Sequence, residues 1–251
     1  MTRRDVEDAG RAGSKNTDTA KILNDFTLLV DSNEKSLGTH LANDGFWEAW
    51  VTSFFTFNVK PGDVVCDVGS NYGYYTRLFQ RLSGKQGKVF AVEANPNLCK
   101  LLRTSIEQFP MDKGAPIEVI EGAALDSRKH VTLYVPDSLG GASLFDETDA
   151  KAQFTVQGFP LDEMISEKVD VIKLDIEGSE PYALFGMERL MRSARLVVVE
   201  ITNLQPRYFL EMLLDRYLVS YIDYEGGEQN LNREILNSEP FLYMAVLRAK
   251  L

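Results

Sequence analysis

The chain has 251 residues, 44% of them hydrophobic and 25% charged, with a net charge of −10. That length suits one full α/β domain, and the composition is that of an ordinary globular protein. The acidic balance argues against nucleic acid as a partner, because phosphate contacts need a basic face. No apolar run approaches the roughly 20 residues that a membrane helix requires.

Residues 1–20 are polar and charged, with no apolar signal core, so they read as a flexible leader on a cytoplasmic protein. Residues 21–60 read as an N-terminal helical cap. Trp47, Trp50, Val51, Phe54 and Phe55 recur there at helical spacing. Trp47 and His40, the latter in the polar stretch Gly38–Gly45, are candidate acceptor contacts. Pro61-Gly62-Asp63 then ends the cap and opens the main domain, 61–251.

Strands and helices alternate from this point. Val64-Val65-Cys66 is an apolar run suited to a strand buried on both faces. It enters the turn Asp67-Val68-Gly69-Ser70-Asn71-Tyr72-Gly73, followed by a helix from Tyr74. Strand, glycine turn and helix in that order build a nucleotide-type site at the carboxyl end of a sheet. Lys88–Glu93 is the second strand, and Asn95-Pro96 opens a helix. Ile117–Glu121, Val169–Asp175 and Leu196–Ile201 are the next three strands. Segments near Leu218–Tyr221 and Phe241–Leu247 are expected to pair as an edge hairpin. Residues 122–160 depart from the alternation and read as a β insertion, with strands at 131–135 and 154–156. The loops 138–143 and 225–238 are candidate lids. Cys66 and Cys99 fall in a strand and a helix and are expected to pack as free apolar groups. No Cys/His cluster suggests zinc.

Two constellations carry chemistry. The first is the glycine turn with Glu93, 24 residues after Gly69 and placed to accept from ribose hydroxyls. Dinucleotide enzymes usually show G-x-G-x-x-G, with small residues around a pyrophosphate. Asn71 and Tyr72 stand in that space here, and Asp67 would repel a pyrophosphate but can hold an ammonium. An adenosine carrying an amino acid, S-adenosylmethionine, fits better than NAD. The second is Asp170-Val171-Ile172-Lys173-Leu174-Asp175-Ile176-Glu177-Gly178-Ser179-Glu180 with Glu200 at the end of the neighbouring strand. Three carboxylates and a lysine at two strand ends are costly in a core and useful at the mouth of a site. Asp175, Glu177, Glu200 and Lys173 are the catalytic candidates, and His40 is a further candidate base. Asp175 and Glu177 are also candidate cofactor and acceptor contacts respectively. A divalent cation on Asp175, Glu177 or Glu200 explains the same residues, but a base or positioning mechanism does so without metal.

The segments DVGSNYGYYT (67–76) and DVIKLDIEGSE (170–180), with VFAVEANP (89–96) and GAALD (122–126) between them, resemble FkbM-type S-adenosylmethionine-dependent methyltransferases. The resemblance runs from about residue 45 to 247. It implies an α/β, class I methyltransferase Rossmann-like fold: a seven-stranded, mainly parallel sheet with the last strand antiparallel and helices on both faces. It implies O-methylation, here of a hydroxyl on a sugar, glycolipid or natural product. By the same resemblance Asp67, Gly69 and Asn71 contact the methionine part of the donor, and Glu93 its ribose. Ala124 and Leu125 flank the adenine, with Asp126 near its amino group, while Ser70, Tyr72, Gly73 and Ala94 complete the donor contacts. An NAD-dependent oxidoreductase and a non-catalytic S-adenosylmethionine-binding protein remain the alternatives.

Overall fold

A computed structural model describes residues 17–32, 34, 37–136, 141–145, 150–202, 205–234 and 243–250. Its centre is an eight-stranded sheet. Five neighbouring strands pair in parallel: β3 (Val64–Val68), β4 (Lys88–Glu93), β5 (Ile117–Glu121), β9 (Val171–Leu174) and β10 (Leu196–Ile201). They stand in the spatial order β5-β4-β3-β9-β10. β13 (Tyr243–Ala249) then pairs antiparallel to β10, and β11 (Tyr217–Ile222) antiparallel to β13. These are the seven strands expected, with the last one antiparallel. The sheet carries an eighth strand in addition, the short β12 (Glu228–Asn230), at the β11 edge. β11 and β13 pair antiparallel as expected, but β13 lies inside the sheet, between β10 and β11, and the outer edge is taken by β12. The β13 run of Met244, Ala245, Val246 and Leu247 is buried, as a strand covered on both faces requires.

Strand periodicity divides the apolar residues between two cores. Cys66, Val68, Phe90, Val92, Ile172, Leu174, Val197 and Val199 face one of them. This core is closed by α5 (Leu161–Met164), α6 (Glu180–Phe185), α7 (Glu188–Ser193) and α8 (Arg207–Arg216). Val65, Val89, Val171, Leu196 and Val198 face the other, with α1 (Leu37–Asp44), α2 (Ala49–Asn58) and α3 (Tyr74–Ser83) packed against them. Cys66 and Cys99 are both buried and free. The helix α4 (Pro96–Gln108) opens on Asn95, whose side chain accepts from the Asn97 amide at 3.0 Å.

The N-terminal region corrects one expectation. Residues 17–31 are not helical. They form a hairpin of β1 (Thr17–Ile22) and β2 (Phe26–Asp31), and only 37–44 and 49–58 are helical. Ala20 and Ile22 alternate with exposed neighbours along β1. Ile22, Phe26, Leu28 and Val30 then join the second core. The Leu29 amide donates to Ser105 Oγ at 2.8 Å and ties the hairpin to α4. The turn between the strands uses Leu23 and Asn24 at positive φ without glycine, which hid it. Of the leader, 17–20 belong to β1, and 1–16 lie outside the described residues.

The β insertion forms a separate three-stranded sheet of β6 (Ala123–Ala124), β8 (Ala150–Phe159) and β7 (Lys129–Pro136). No helix among the described residues is long and apolar enough to cross a membrane.

Candidate functional site

The two sequence constellations meet because the chain has no side chain at Gly69. Gly69 has φ +85°, and a Cβ there would lie 1.8 Å from the Asp175 carbonyl oxygen. The Gly69 and Ser70 amides both donate to Val92 O, at 2.9 and 3.0 Å, and the Asp175 amide donates to Val68 O at 3.1 Å. The ends of β3, β4 and β9 are thereby drawn together around one cavity of about 220 Å³. Gly73 has a different task. It starts α3 at φ +91°, and a Cβ there would meet Leu102 at 2.4 Å, so it sets the packing of α3 on α4.

One side of the cavity is lined by Gly69, Ser70, Asn71, Glu93, Ala94 and Ala124. Glu93 is buried, and its two carboxylate oxygens accept from the Asn71 amide at 2.7 Å and the Asn95 amide at 2.8 Å. Burial raises its pKa, opposed by these amides. Each oxygen keeps a further acceptor site. Leu98, Ala123 and Leu133 add an apolar strip, and the buried Ser70 hydroxyl has no partner among the described residues. An acid beside an apolar strip, next to a glycine turn with an unpartnered hydroxyl, fits an adenosine that carries an amino acid.

The other side is lined by Trp47, Glu48, Tyr74, Tyr75, Lys173, Asp175, Glu177, Ser179 and Glu200. Asp67, Lys173 and Glu200 share the side-chain parity of the second core, and Asp67 is the register partner of Lys173. Lys173 is 2% exposed. Its ammonium lies 2.7 Å from Asp175 Oδ2 and 4.7 Å from the centre of the Tyr75 ring. Burial works against the Lys173 charge, but Asp175, Asp67 and Glu48 outweigh it and hold the pKa above its usual range. Tyr75 Oη in turn donates to Glu48 Oε2 at 2.9 Å. Glu48 takes a left-handed backbone (φ 38°) just before α2, and burial, then Asp175, raises its pKa.

Glu177 is also left-handed, at φ 54°. Its carboxylate accepts from the Gly141 amide at 3.2 Å, and its carbonyl accepts from Ser143 Oγ at 3.1 Å. Burial first, then Asp175 and Glu180, raise its pKa to about 7. Glu200 is pushed well up by burial and by Asp175, Glu177 and Glu180, and its Oε2 has no hydrogen-bond partner among the described residues. Glu180 is scaffolding. Fully buried, it accepts from the Ile176 amide at 2.8 Å and Gln205 Nε2 at 2.7 Å, which holds the turn after β9.

Several expected residues lie elsewhere. Asp67 is 1% exposed and does not line the cavity. Its Oδ2 accepts from Thr76 Oγ1 at 2.5 Å, its Oδ1 is unpartnered among the described residues, and burial raises its pKa. Its side chain points to the same side of the sheet as Lys173, but there it lies under α3, held by Thr76, rather than in the cavity. Tyr72 is buried in that core, and Gly73 packs on Leu102. Leu125 belongs to the core of the β insertion, its amide bonded to Phe159 O. Asp126 is at the surface, paired with Lys129 at 3.1 Å. His40 sits in α1 rather than a turn, with Nδ1 3.0 Å from Asp44, while its neighbour Trp47 reaches the cavity.

Of the two candidate lids, 141–145 borders the cavity through Gly141, Ala142 and Leu144, and 137–140 lie outside the described residues. The second, at 225–227, is a tight turn around Asp223 packed near α2, away from the cavity. Residues 235–238 lie outside the described residues. Sequence reading missed Glu48, Tyr75 and Ser179. The signal for Glu48 was a lone acid inside the aromatic run Phe46–Phe55. Among the described residues, no three His, Cys, Asp or Glu side chains gather as metal ligands.

Comparison with known proteins agrees with the residues that prompted the resemblance. The hexuronic acid methyltransferase AglP of Haloferax volcanii is 27% identical over 168 residues. The match spans 65% of this chain and 66% of AglP, just under two thirds of that protein's length. A solved FkbM methyltransferase from Methylobacillus flagellatus KT is 15% identical, covering 77% of this chain and 49% of its own, with a TM-score of 0.45. The precorrin-6y C5,15-methyltransferase from Geobacter metallireducens GS-15 is 14% identical, covering 87% and 97%, with a TM-score of 0.48. Neither structural likeness bears on substrate. The Methyltransferase FkbM domain family matches residues 67–228, more than half of the chain, and this protein belongs to that family.

Proposed function

We propose that this protein is an S-adenosylmethionine-dependent O-methyltransferase acting on a hydroxyl of a sugar, glycolipid or natural product. One observation carries the reading: Gly69 lets the donor-type turn and the Lys173–Glu177 segment line a single cavity. Family membership favours a methyl donor over a dinucleotide, and the relative named for a hexuronic acid supports a sugar-type acceptor. The net charge of −10 favours a small acceptor over nucleic acid.

Gly69, Ser70, Asn71, Glu93, Ala94 and Ala124 are the residues to hold the donor. When bound, it supplies an electrophilic methyl on a sulfonium. The chain's own contribution is alignment, exclusion of water and a base. Glu177, poised near neutral pH beside the cavity, is the best-matched base for an acceptor hydroxyl. Glu200 is protonated at that pH and acts as a hydrogen-bond donor through its carboxyl group. The Lys173–Asp175 pair fixes the floor between them. Gly141 and Ser143 tie the 141–145 segment to Glu177 at the edge of the cavity.

Isothermal titration with S-adenosylhomocysteine, followed by a radiolabelled methyl-transfer screen over sugars and glycolipids, tests the reading. Saturable S-adenosylhomocysteine binding and label in a hydroxyl are expected. Binding of NADH with no response to S-adenosylhomocysteine would sink it.

A further inference from the structure

The cavity holds more acid than its cation can balance. Five carboxylates line it, Glu48, Glu93, Asp175, Glu177 and Glu200, against one basic side chain among the described lining residues, Lys173. That ammonium is already committed to Asp175 at 2.7 Å and covered by the Tyr75 ring. Tyr75 cannot offer its proton either, since its hydroxyl donates to Glu48. Glu93 is engaged by two backbone amides on the donor side. The sulfonium of a donor would offset one further negative charge. Glu48 and Glu177 are left with no cation assigned to them among the described lining residues, while Glu200, held as a neutral carboxyl, offers a hydrogen bond instead of a charge.

A second, independent observation points to a ligand here. The Ser179 hydroxyl, 2% exposed and lining the cavity beside Glu177, has no partner among the described residues, and neither has Glu200 Oε2. Buried polar groups are ordinarily hydrogen-bonded, so an unpartnered hydroxyl facing a cavity calls for a polar partner there, water or ligand. Carboxyl and serine groups pair well with hydroxyls and ammonium groups, whereas a second carboxylate or a phosphate here would meet repulsion without a free cation. Glu48 is held in a left-handed conformation that few non-glycine residues adopt, and such strain gathers at sites where a side chain must be aimed.

We propose that the acceptor is a sugar-like molecule without negative charge, bearing hydroxyl or amino groups, and that Glu48 binds it together with Glu177 and Ser179. The proposal rests on the methyltransferase reading and narrows it. Glu48 precedes the family-matched region 67–228, so the N-terminal segment contributes to acceptor choice. It also separates this protein from a relative named for a hexuronic acid, whose carboxylate would face these acids.

The test uses the full chain saturated with S-adenosylhomocysteine and three ligands built on one ring: methyl glucoside, glucosamine and glucuronate. Each is titrated by saturation-transfer NMR. Glucosamine and methyl glucoside should bind at least about tenfold more tightly than glucuronate. Glu48→Gln should shrink the glucosamine-to-glucuronate ratio about fivefold, while Glu48→Asp, which keeps the charge, should preserve the order. Calorimetric S-adenosylhomocysteine binding in both variants reports that the donor side is folded. Glucuronate binding as well as glucosamine, an unchanged order in Glu48→Gln, or no binding of any of the three would overturn the proposal. Failure of the native chain to bind S-adenosylhomocysteine would instead overturn the methyltransferase reading beneath it.

Discussion

The backbone of Gly69 lies so close to that of Asp175 that a single methyl group at Gly69 would stand 1.8 Å from the Asp175 carbonyl oxygen. The donor-type turn and the acidic segment are therefore one structural unit. Gly69→Ala must both strain a φ of +85° and push β9 away, because the obstacle is backbone rather than a flexible side chain. We expect a loss of about 2–4 kcal/mol, combining backbone strain with the steric clash. S-adenosylhomocysteine binding should fall at least tenfold. Thermal unfolding and calorimetry check both, and a variant of native stability and affinity would show that the two loops are independent.

Glu93 holds the Asn71 and Asn95 amides with separate oxygens. Glu93→Gln keeps the shape but replaces one acceptor oxygen with a donor, leaving an amide without its partner. A buried donor left unsatisfied costs about 1–3 kcal/mol. Donor affinity should fall about tenfold to a hundredfold, read by titration with S-adenosylhomocysteine. Native affinity in this variant would remove Glu93 from the donor site.

Lys173 is the counterion of the cavity floor, facing Asp175, Asp67 and Glu48. Lys173→Met leaves those acids uncompensated and should destabilise the fold by about 3–5 kcal/mol. Adding Asp175→Asn removes part of the stranded charge, so the double variant should recover part of that loss. Denaturant unfolding of the four proteins of this cycle gives the coupling directly. Additive losses would contradict the pairing.

Glu177 titrates near pH 7 in the folded protein against roughly 4.3 for an unfolded glutamate. A raised carboxyl pKa means that the folded state binds the extra proton between those two values. Stability therefore falls as pH rises from about 4.3 to about 7 and is level above it. Glu177→Gln removes this dependence, so its melting temperature should gain on that of the native chain as pH rises from 5 to 7.5. Glu200 adds a fall of the same sign that continues to more alkaline pH. If Glu177 is the base, the rate of methyl transfer should climb with pH across 6–7.5, opposite in direction to stability. A flat rate profile there would move the base elsewhere.

Local chemistry made much of this molecule legible. The strand from Val64, the helix opening at Asn95-Pro96 and the strand-end acids Glu93, Asp175 and Glu200 follow from short-range rules on apolar runs, proline and charge. Those rules do not say where a side chain points when both faces of a sheet are covered. Asp67 and Lys173 share one face, yet only Lys173 reaches the cavity, while Asp67 turns under α3 to accept from Thr76. Leu125 and Asp126 follow Ala124 directly, yet one is buried in the insertion and the other pairs with Lys129 at the surface.

Glu48 marks the boundary most clearly. Residue order alone settled the alternation of strands and helices, the glycine turn and the gathering of acids at strand ends, because each depends on neighbours a few positions apart. It could not place Glu48 against Tyr75, 27 positions later, since their hydrogen bond exists only once α2 has packed on α3 in the second core. Which acids face one cavity, and which of them Lys173 is left to neutralise, were decided by that packing.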